Sequence, residues 1–270
     1  MKLTVSTWNI NSVRLRIDQV ERFLKDRRPD VLCLQETKCP NDKLPMKELQ
    51  SFGYPFVVHM GQKGYNGVAI LSRYPFSETS VMEMCGRQDA RHIMVTLGQA
   101  KAASGITIHN FYVPAGGDIP DPEMNEKFRH KLDFLSQMRA WGSKAKPTSS
   151  PAILVGDLNV APLEHDVWSH KQLLDVVSHT PVETQALEEL RQEAGWTDAM
   201  RAIRPEPEKI YSWWSYRSPD WAAADKGRRL DHIWISDGLK GSLRSVDVTR
   251  DTRGWERPSD HAPVTMELEL

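Results

Sequence analysis

The chain has 270 residues, 40% hydrophobic and 26% charged, which is ordinary for a globular protein and long enough to bury a sizeable core. No apolar run reaches the length that spans a bilayer. With 35 basic and 36 acidic residues the formal charge is −1, so any surface for a polyanion is expected to be local rather than global.

Leu3 to Asn9 reads as a strand rich in β-favouring residues. Val13, Ile17, Val20 and Leu24 then recur at helical spacing, predicting a helix over 13–25 capped by Asn11 or Ser12. Asp30 to Gln35 is a short apolar strand ending at Glu36. Beyond Gly53, β-like runs over 56–59, 67–72, 80–84, 93–97 and 106–113 are separated by glycine and proline turns. A long amphipathic helix over 123–141 and a polar loop over 144–151 lead to a buried strand over 152–155. A helix over 182–194 and strands over 210–216, 230–236, 243–250 and 263–268 complete the chain. Many strands with interspersed helices predict stacked sheets covered by helices, over a single domain, 1–270.

The three cysteines form no disulfide framework and no zinc-type spacing; Cys33 belongs to a core strand, whereas Cys39 is open to exposure. The first residues lack the regions of a signal peptide, which makes the cytoplasm the expected location.

Polar residues recur where apolar strands run out: Asn9 and Asn11, Glu36, Tyr112, Asp157 and Asn159, Asp231, and Asp260 with His261. Any one of them is as readily a turn or cap residue. Brought to one sheet edge together, they build a site. Hard oxygen donors suit magnesium or manganese. A carboxylate can deprotonate water, and a carboxylate-paired histidine can donate to a phosphate. Neither a Gly-x-Ser-x-Gly elbow nor a P-loop competes with this reading.

In order along the chain stand Trp8-Asn9-Ile10-Asn11, Leu34-Gln35-Glu36-Thr37-Lys38, Gly64-Tyr65-Asn66-Gly67-Val68, Tyr112-Val113-Pro114, Gly156-Asp157-Leu158-Asn159, Arg229-Leu230-Asp231 and Ser259-Asp260-His261-Ala262-Pro263. Nearly end to end, this set resembles the exonuclease III class of apurinic/apyrimidinic endonucleases, within the endonuclease/exonuclease/phosphatase superfamily. Gln35 to Lys38 and Trp213-Trp214-Ser215-Tyr216-Arg217 point to its DNA-repair branch.

The resemblance implies a four-layered α-β-β-α sandwich of two mostly antiparallel sheets packed face to face. It implies a magnesium-dependent hydrolase, with manganese as an alternative metal. The substrate would be duplex DNA, cut 5′ to an abasic site, with 3′-5′ exonuclease and 3′-phosphatase activities beside it on 3′-blocked ends. A monomer is the default for gripping one duplex. Glu36 would hold the metal, with Asn9, Asn11 and Asp260 close by and Asp157, Asn159 and His261 counted in the metal set. Asp157 would activate water, Asn159 hold the phosphate, Asp231 orient His261, and Tyr112 contact the phosphate or the leaving oxygen. Lys63, Tyr65, Arg91, Trp213, Trp214 and Arg228 would meet DNA. Phosphate contacts of this kind position a duplex without reading its sequence.

Several residues carry a second reading. Tyr112 also fits as a buried aromatic closing a strand, one of the two tryptophans as core, and the basic run Lys226 to Arg229 as a solvated loop. Two positions depart from the family pattern. Ala115 stands where a phosphate-touching Gln or Asn is usual, and Arg228 where an apolar or aromatic residue usually lines the sugar pocket. Competing functions are a superfamily hydrolase of RNA or small phosphoesters, and a non-catalytic DNA-binding module. The second would lack equivalents of Glu36, Asp157, Asp231 or His261, and all four are present.

Overall fold

A computed structural model describes residues 1–270. Strands β1 (Lys2–Asn9), β2 (Val31–Gln35), β3 (Phe56–Met60), β4 (Val68–Ser72), β5 (Phe76–Ser80), β6 (His92–Leu97) and β7 (Thr107–Tyr112) occupy the first half. They are followed by β8 (Ala152–Asp157), β9 (Thr197–Asp198), β10 (Trp213–Trp214), β11 (Gly227–Arg228), β12 (Asp231–Ile235), β13 (Leu243–Val248) and β14 (Val264–Glu269). One six-stranded sheet runs β13-β14-β1-β2-β4-β3 and the other β5-β6-β7-β8-β12-β9; β10 and β11 form a separate ribbon. Only β1–β2 and β7–β8 pair in parallel. The helices include α1 (Ile17–Arg27), α2 (Met46–Ser51), α3 (Glu126–Ala145), α4 (His170–Leu173) and α5 (Pro181–Glu193). No helix is long and apolar enough to cross a membrane.

Side-chain alternation explains the layering. In β2, Val31 and Cys33 face the other sheet, while Leu32 and Leu34 turn outward to Val20, Phe23 and Leu24 of α1. In β8, Ile153 and Val155 face inward, while Ala152 and Leu154 meet Phe134, Leu135 and Met138 of α3 and Leu187 and Leu190 of α5. Both faces of these strands are covered, so they read as continuous apolar runs. The four-layered sandwich expected from the sequence is the observed architecture.

Several boundaries differ from the sequence reading. Helix α1 begins at Ile17 rather than Val13, and Arg16 occupies its N-cap position, not Asn11 or Ser12. Asn11 and Ser12 instead take positive φ angles of 47° and 87°, and the amides of Ser12 and Val13 bond to the carbonyls of Glu36 and Thr37. The backbone there extends the pairing with the segment after β2. The expected strand over 80–84 is absent; β5 is the polar edge segment Phe76–Ser80. Of the expected strand over 210–216, only Trp213–Trp214 pairs regularly. Cys39 is buried within the apolar cluster on the outer face of the β1–β2–β4 sheet rather than exposed.

Candidate active site

Sheet direction gathers the polar strand ends. β1 and β2 are parallel, as are β7 and β8, so Asn9, Glu36, Tyr112 and Asp157 emerge at matching ends. β12 and β14 run antiparallel to their neighbours, so their starts, at Asp231 and just after His261, lie at the same edge. Asp231 is the direct cross-strand partner of Asp157, and Tyr112 pairs in register with Asp157 from the other side. Gly156 has φ +147°, and a Cβ there would lie 1.9 Å from the Phe111 carbonyl oxygen. Only glycine lets β8 approach β7 this closely just before Asp157.

At the centre, Asn9 Nδ2 donates to Glu36 Oε1 and to Asp157 Oδ2, both at 2.9 Å. The Tyr112 hydroxyl donates to Glu36 Oε1 at 2.8 Å. Lys38 Nζ lies 2.8 Å from Glu36 Oε2 and 2.6 Å from Asn11 Oδ1. Asn159 Nδ2 donates to Asp157 Oδ2 at 3.2 Å and to the Val113 carbonyl at 2.9 Å. His261 Nδ1 sits 2.8 Å from Asp231 Oδ2, and its Nε2 lies 3.7 Å from Asp157 Oδ2. Asp260 accepts from Asn11 Nδ2 at 3.2 Å and from Trp213 Nε1 at 2.9 Å.

Burial and neighbouring charge set the protonation states. Burial, with Asp231 and Glu36 nearby, raises the Asp157 carboxyl to about 7 despite His261 and the Asn9 hydrogen bond. Burial alone would lower His261, but the carboxylates of Asp231, Asp157 and Asp260 outweigh it and hold the ring up at about 10. Burial also works against ionisation of Glu36. The Lys38 ammonium and hydrogen bonds from Asn9, Lys38 and Tyr112 prevail and keep that carboxyl below its ordinary range. Burial first, then Glu36 and Asp157, push the Tyr112 phenol well above its ordinary value.

The donor set fits a hard divalent cation. Glu36 is ionised, amide and carboxylate oxygens surround it, and the Lys38 ammonium already brings positive charge between Glu36 and Asn11. The tightest cluster of ligand-type atoms is Asp157, Asp231 and His261, all within 4.8 Å of one another. Asp231, outside the metal set drawn from the sequence, belongs to that cluster, and its buried Oδ1 has no hydrogen-bond partner.

The residues expected to meet DNA divide. Lys63 and Tyr65 lie on an exposed loop. The Arg91 guanidinium stacks 4.8 Å from the Tyr112 ring centroid and bonds to Asp89. Trp213 and Arg228 line a cavity of about 750 Å³ beside Asn159 and His261. Trp214 does not join them. It is buried, packs on Tyr211 and Ala262, and its indole N–H donates to Asp225, because neighbours in a strand face opposite sides. Nor is the basic run a uniformly solvated loop: Arg229 is fully buried, held at 2.7 and 2.8 Å by Asp166 and at 2.7 Å by Asp198.

Sequence reasoning assigned no role to Lys38 or Lys131. Lys131 is fully buried on α3, paired with Glu183 of α5, and donates to the Asn159 carbonyl at 2.7 Å, fixing the segment that carries Asn159. A lysine three residues after Phe128 and before Phe134, on the apolar face of a helix, was the available signal.

Residues 6–261 match the family model described as Endonuclease/Exonuclease/phosphatase family. The chain is 30% identical to an exodeoxyribonuclease III of Haemophilus influenzae, over 97% of this chain and 98% of that one. It is similar to the structure of the 3′ phosphatase NExo from Neisseria bound to a product DNA hairpin, at 33% identity and a TM-score of 0.89, covering 99% of this chain and 100% of that one. An AP endonuclease from Archaeoglobus fulgidus is similar at 32% identity and a TM-score of 0.90, with the same coverage.

Proposed function

The chain belongs to the endonuclease/exonuclease/phosphatase family, in its exonuclease III and AP endonuclease branch, and from that premise we propose how its own side chains cleave a DNA backbone. It is a DNA-repair nuclease. The finer reading is hydrolysis 5′ to an abasic site in duplex DNA, with 3′-5′ exonuclease and 3′-phosphatase activities at blocked ends. One observation carries it: Asp157 Oδ2 and His261 Nε2 face each other at 3.7 Å while Asp231 holds the far side of the ring at 2.8 Å.

Asp157 takes the proton of the attacking water, a task suited by a carboxyl whose proton affinity is raised to about 7. Asn159 keeps that carboxylate oriented through its side chain and backbone amides. His261, doubly protonated and fixed by Asp231, presents Nε2–H to a phosphoryl oxygen. With Nδ1 engaged by Asp231, His261 has only Nε2 to offer, and that atom is assigned to the phosphate rather than to the ion. Tyr112 positions Glu36 and stands beside the phosphate. Glu36, with Asn9 and Asn11 adjacent, would hold the cation, magnesium by preference and manganese as an alternative. A divalent ion held there would supply neutralisation of the charge that builds on the phosphoryl oxygens.

Lys63, Tyr65 and Arg91 are placed to position the phosphate backbone, and Trp213 to wall the pocket for an extruded sugar. Extrusion costs least where a base is already missing. A single catalytic domain over 1–270, working as a monomer in the cytoplasm, completes the proposal.

The test uses an end-labelled duplex carrying one abasic analogue beside an undamaged control, with magnesium or with EDTA. One magnesium-dependent cut 5′ to the lesion is expected. Progressive 3′ shortening of both duplexes without that cut would reassign the enzyme as an exonuclease. No cleavage of either would overturn the DNA reading in favour of RNA or small phosphodiesters.

A further inference from the structure

Lys131 projects from the apolar face of α3, fully buried, to the two loops that flank the proposed cleavage centre. Its Nζ donates to the Asn159 carbonyl at 2.7 Å and to the Ala115 carbonyl at 3.4 Å. No other donor reaches the Asn159 carbonyl. Gly116, next to Ala115, packs so closely that a Cβ there would stand 2.9 Å from Lys131 Cδ. Behind the ammonium, Glu183 of α5 pairs with it. Glu183 also accepts from the amides of Ser178 and Thr180 at 3.0 and 3.2 Å and from Thr180 Oγ1 at 2.6 Å. The pair is thus anchored to a helix end on one side and to two loops on the other. Charges removed this fully from water add little net stability, and apolar side chains of similar volume would join α3 to α5 about as well. What apolar side chains cannot do is donate to a loop carbonyl.

The carbonyl that takes this donor belongs to a residue in an uncommon conformation. Asn159 has φ 53°, in the left-handed region. From there its Nδ2 reaches Asp157 Oδ2 at 3.2 Å and the Val113 carbonyl at 2.9 Å, while its backbone N–H donates to Asp157 Oδ1 at 3.0 Å. Resting on the nuclease reading above, we propose that Lys131 is a positioning residue for phosphodiester hydrolysis. Its ammonium holds the Asn159 turn in place, and the Asn159 side-chain amide in turn keeps Asp157 aligned on the attacking water. Without Lys131 the Asn159 carbonyl is buried and unpaired, a cost the turn relieves by shifting, and the amide then leaves Asp157. Lys131 touches neither water nor phosphate. It acts on the rate only through the residue it holds.

Lys131→Met alone strands the Glu183 carboxylate in the core, so the test pairs it with Glu183→Gln. The pair of substitutions removes both charges and leaves a residue type that serves the same helix cap. Thermal unfolding establishes that the paired variant is folded at the assay temperature. Single-turnover cleavage of an abasic duplex should slow by about tenfold or more, while Kd for that duplex, by fluorescence anisotropy, stays within about threefold. Asn159→Gly supplies the second background, since glycine keeps the left-handed turn and lacks the amide. There the paired substitution should cost about threefold or less, because the group it positions is gone. A paired variant as fast as the unsubstituted protein overturns the proposal. So does an equal loss on both backgrounds, which marks a purely structural pair. Should the paired variant be unfolded at the assay temperature, Lys131→Gln takes its place with the same expectations; its shorter neutral amide still bonds to Glu183. If the unsubstituted protein cuts neither the abasic duplex nor an undamaged one, the nuclease reading fails and this proposal with it, whereas equal losses remove this proposal alone.

Discussion

Replacing Asp231 with asparagine keeps a hydrogen-bond acceptor 2.8 Å from His261 Nδ1 and removes only its charge. The rise of His261 from 6.5 to about 10 corresponds to roughly 5 kcal/mol of preference for the charged ring. Burial opposes the rise, so the three carboxylates together supply more than this net, and Asp231, the nearest of them, contributes at least about half of it, roughly 2 to 3 kcal/mol. Its loss should bring the ring down to about 8 or below. At the upper value about nine in ten rings are charged at pH 7 but only about one in ten at pH 9. In the unsubstituted protein the ring stays charged across that range. The measurement is single-turnover cleavage of an abasic duplex from pH 6.5 to 9.5 at fixed metal concentration. The ratio of unsubstituted to Asp231→Asn rate should be larger at pH 9 than at pH 7 by about tenfold or more. Profiles that superimpose after scaling would refute the assignment of His261 as a charged donor maintained by Asp231. The same linkage has a stability consequence. A histidine whose folded pKa is raised contributes stability that is complete below its unfolded value and lost as pH rises through about 10. Asp231→Asn should therefore lower the midpoint of thermal unfolding at pH 7.

Asp157→Asn should cut turnover by about a hundredfold or more while DNA affinity by fluorescence anisotropy stays within about threefold; turnover within about tenfold of the unsubstituted protein would remove Asp157 from its role. Glu36→Ala should raise the magnesium concentration for half-maximal rate by about tenfold or more, roughly 1.4 kcal/mol in binding, and an unchanged metal titration would place the ion elsewhere. Acid should destabilise the fold through its buried neutral histidines. Burial lowers His109 to about 4, and burial with Arg229 nearby lowers His232 to about 4. The unfolded chain then binds protons first, so stability is full above pH 6.5 and is lost as pH falls toward 4, by up to about 3 kcal/mol per histidine. Urea unfolding between pH 7 and 4.5 measures this, and a midpoint that does not fall would contradict it.

The sandwich and its polar edge were legible because β1, β2, β7 and β8 are buried along most of their length and stop abruptly at Asn9, Glu36, Tyr112 and Asp157. Ile153 to Asp157 is the clearest case: four apolar or small residues, then the carboxylate. What escaped follows from environment rather than pattern. β5 is an exposed edge strand, so its residues Ser77, Glu78 and Thr79 carry no apolar signal. Arg229 reads as a surface base beside Lys226, and only the tertiary fold brings Asp166 and Asp198 to neutralise it. Lys131 finds Glu183 across two helices, 52 positions away. Cys39 follows Lys38 and precedes a proline, a context that says surface, yet its side chain is fully buried in the cluster outside the first sheet. The direction of Trp214 depended on which face of a two-residue strand turned inward, which periodicity over so short a run does not determine.

The strand that follows His261 is the last in the chain, and it seals against the first, with Lys2 opposite Glu269 and Thr7 opposite Val264. The proposed cleavage centre therefore draws on both extremes of the polypeptide, from Asn9 to His261. During synthesis, Asn9, Glu36 and Asp157 emerge from the ribosome well before their histidine, and β1 waits with one edge unpaired until β14 arrives. A growing or prematurely terminated chain thus holds the carboxylates without the imidazolium. On the proposed roles, a chain truncated before His261 is expected to lack cutting power however well its first strands pair.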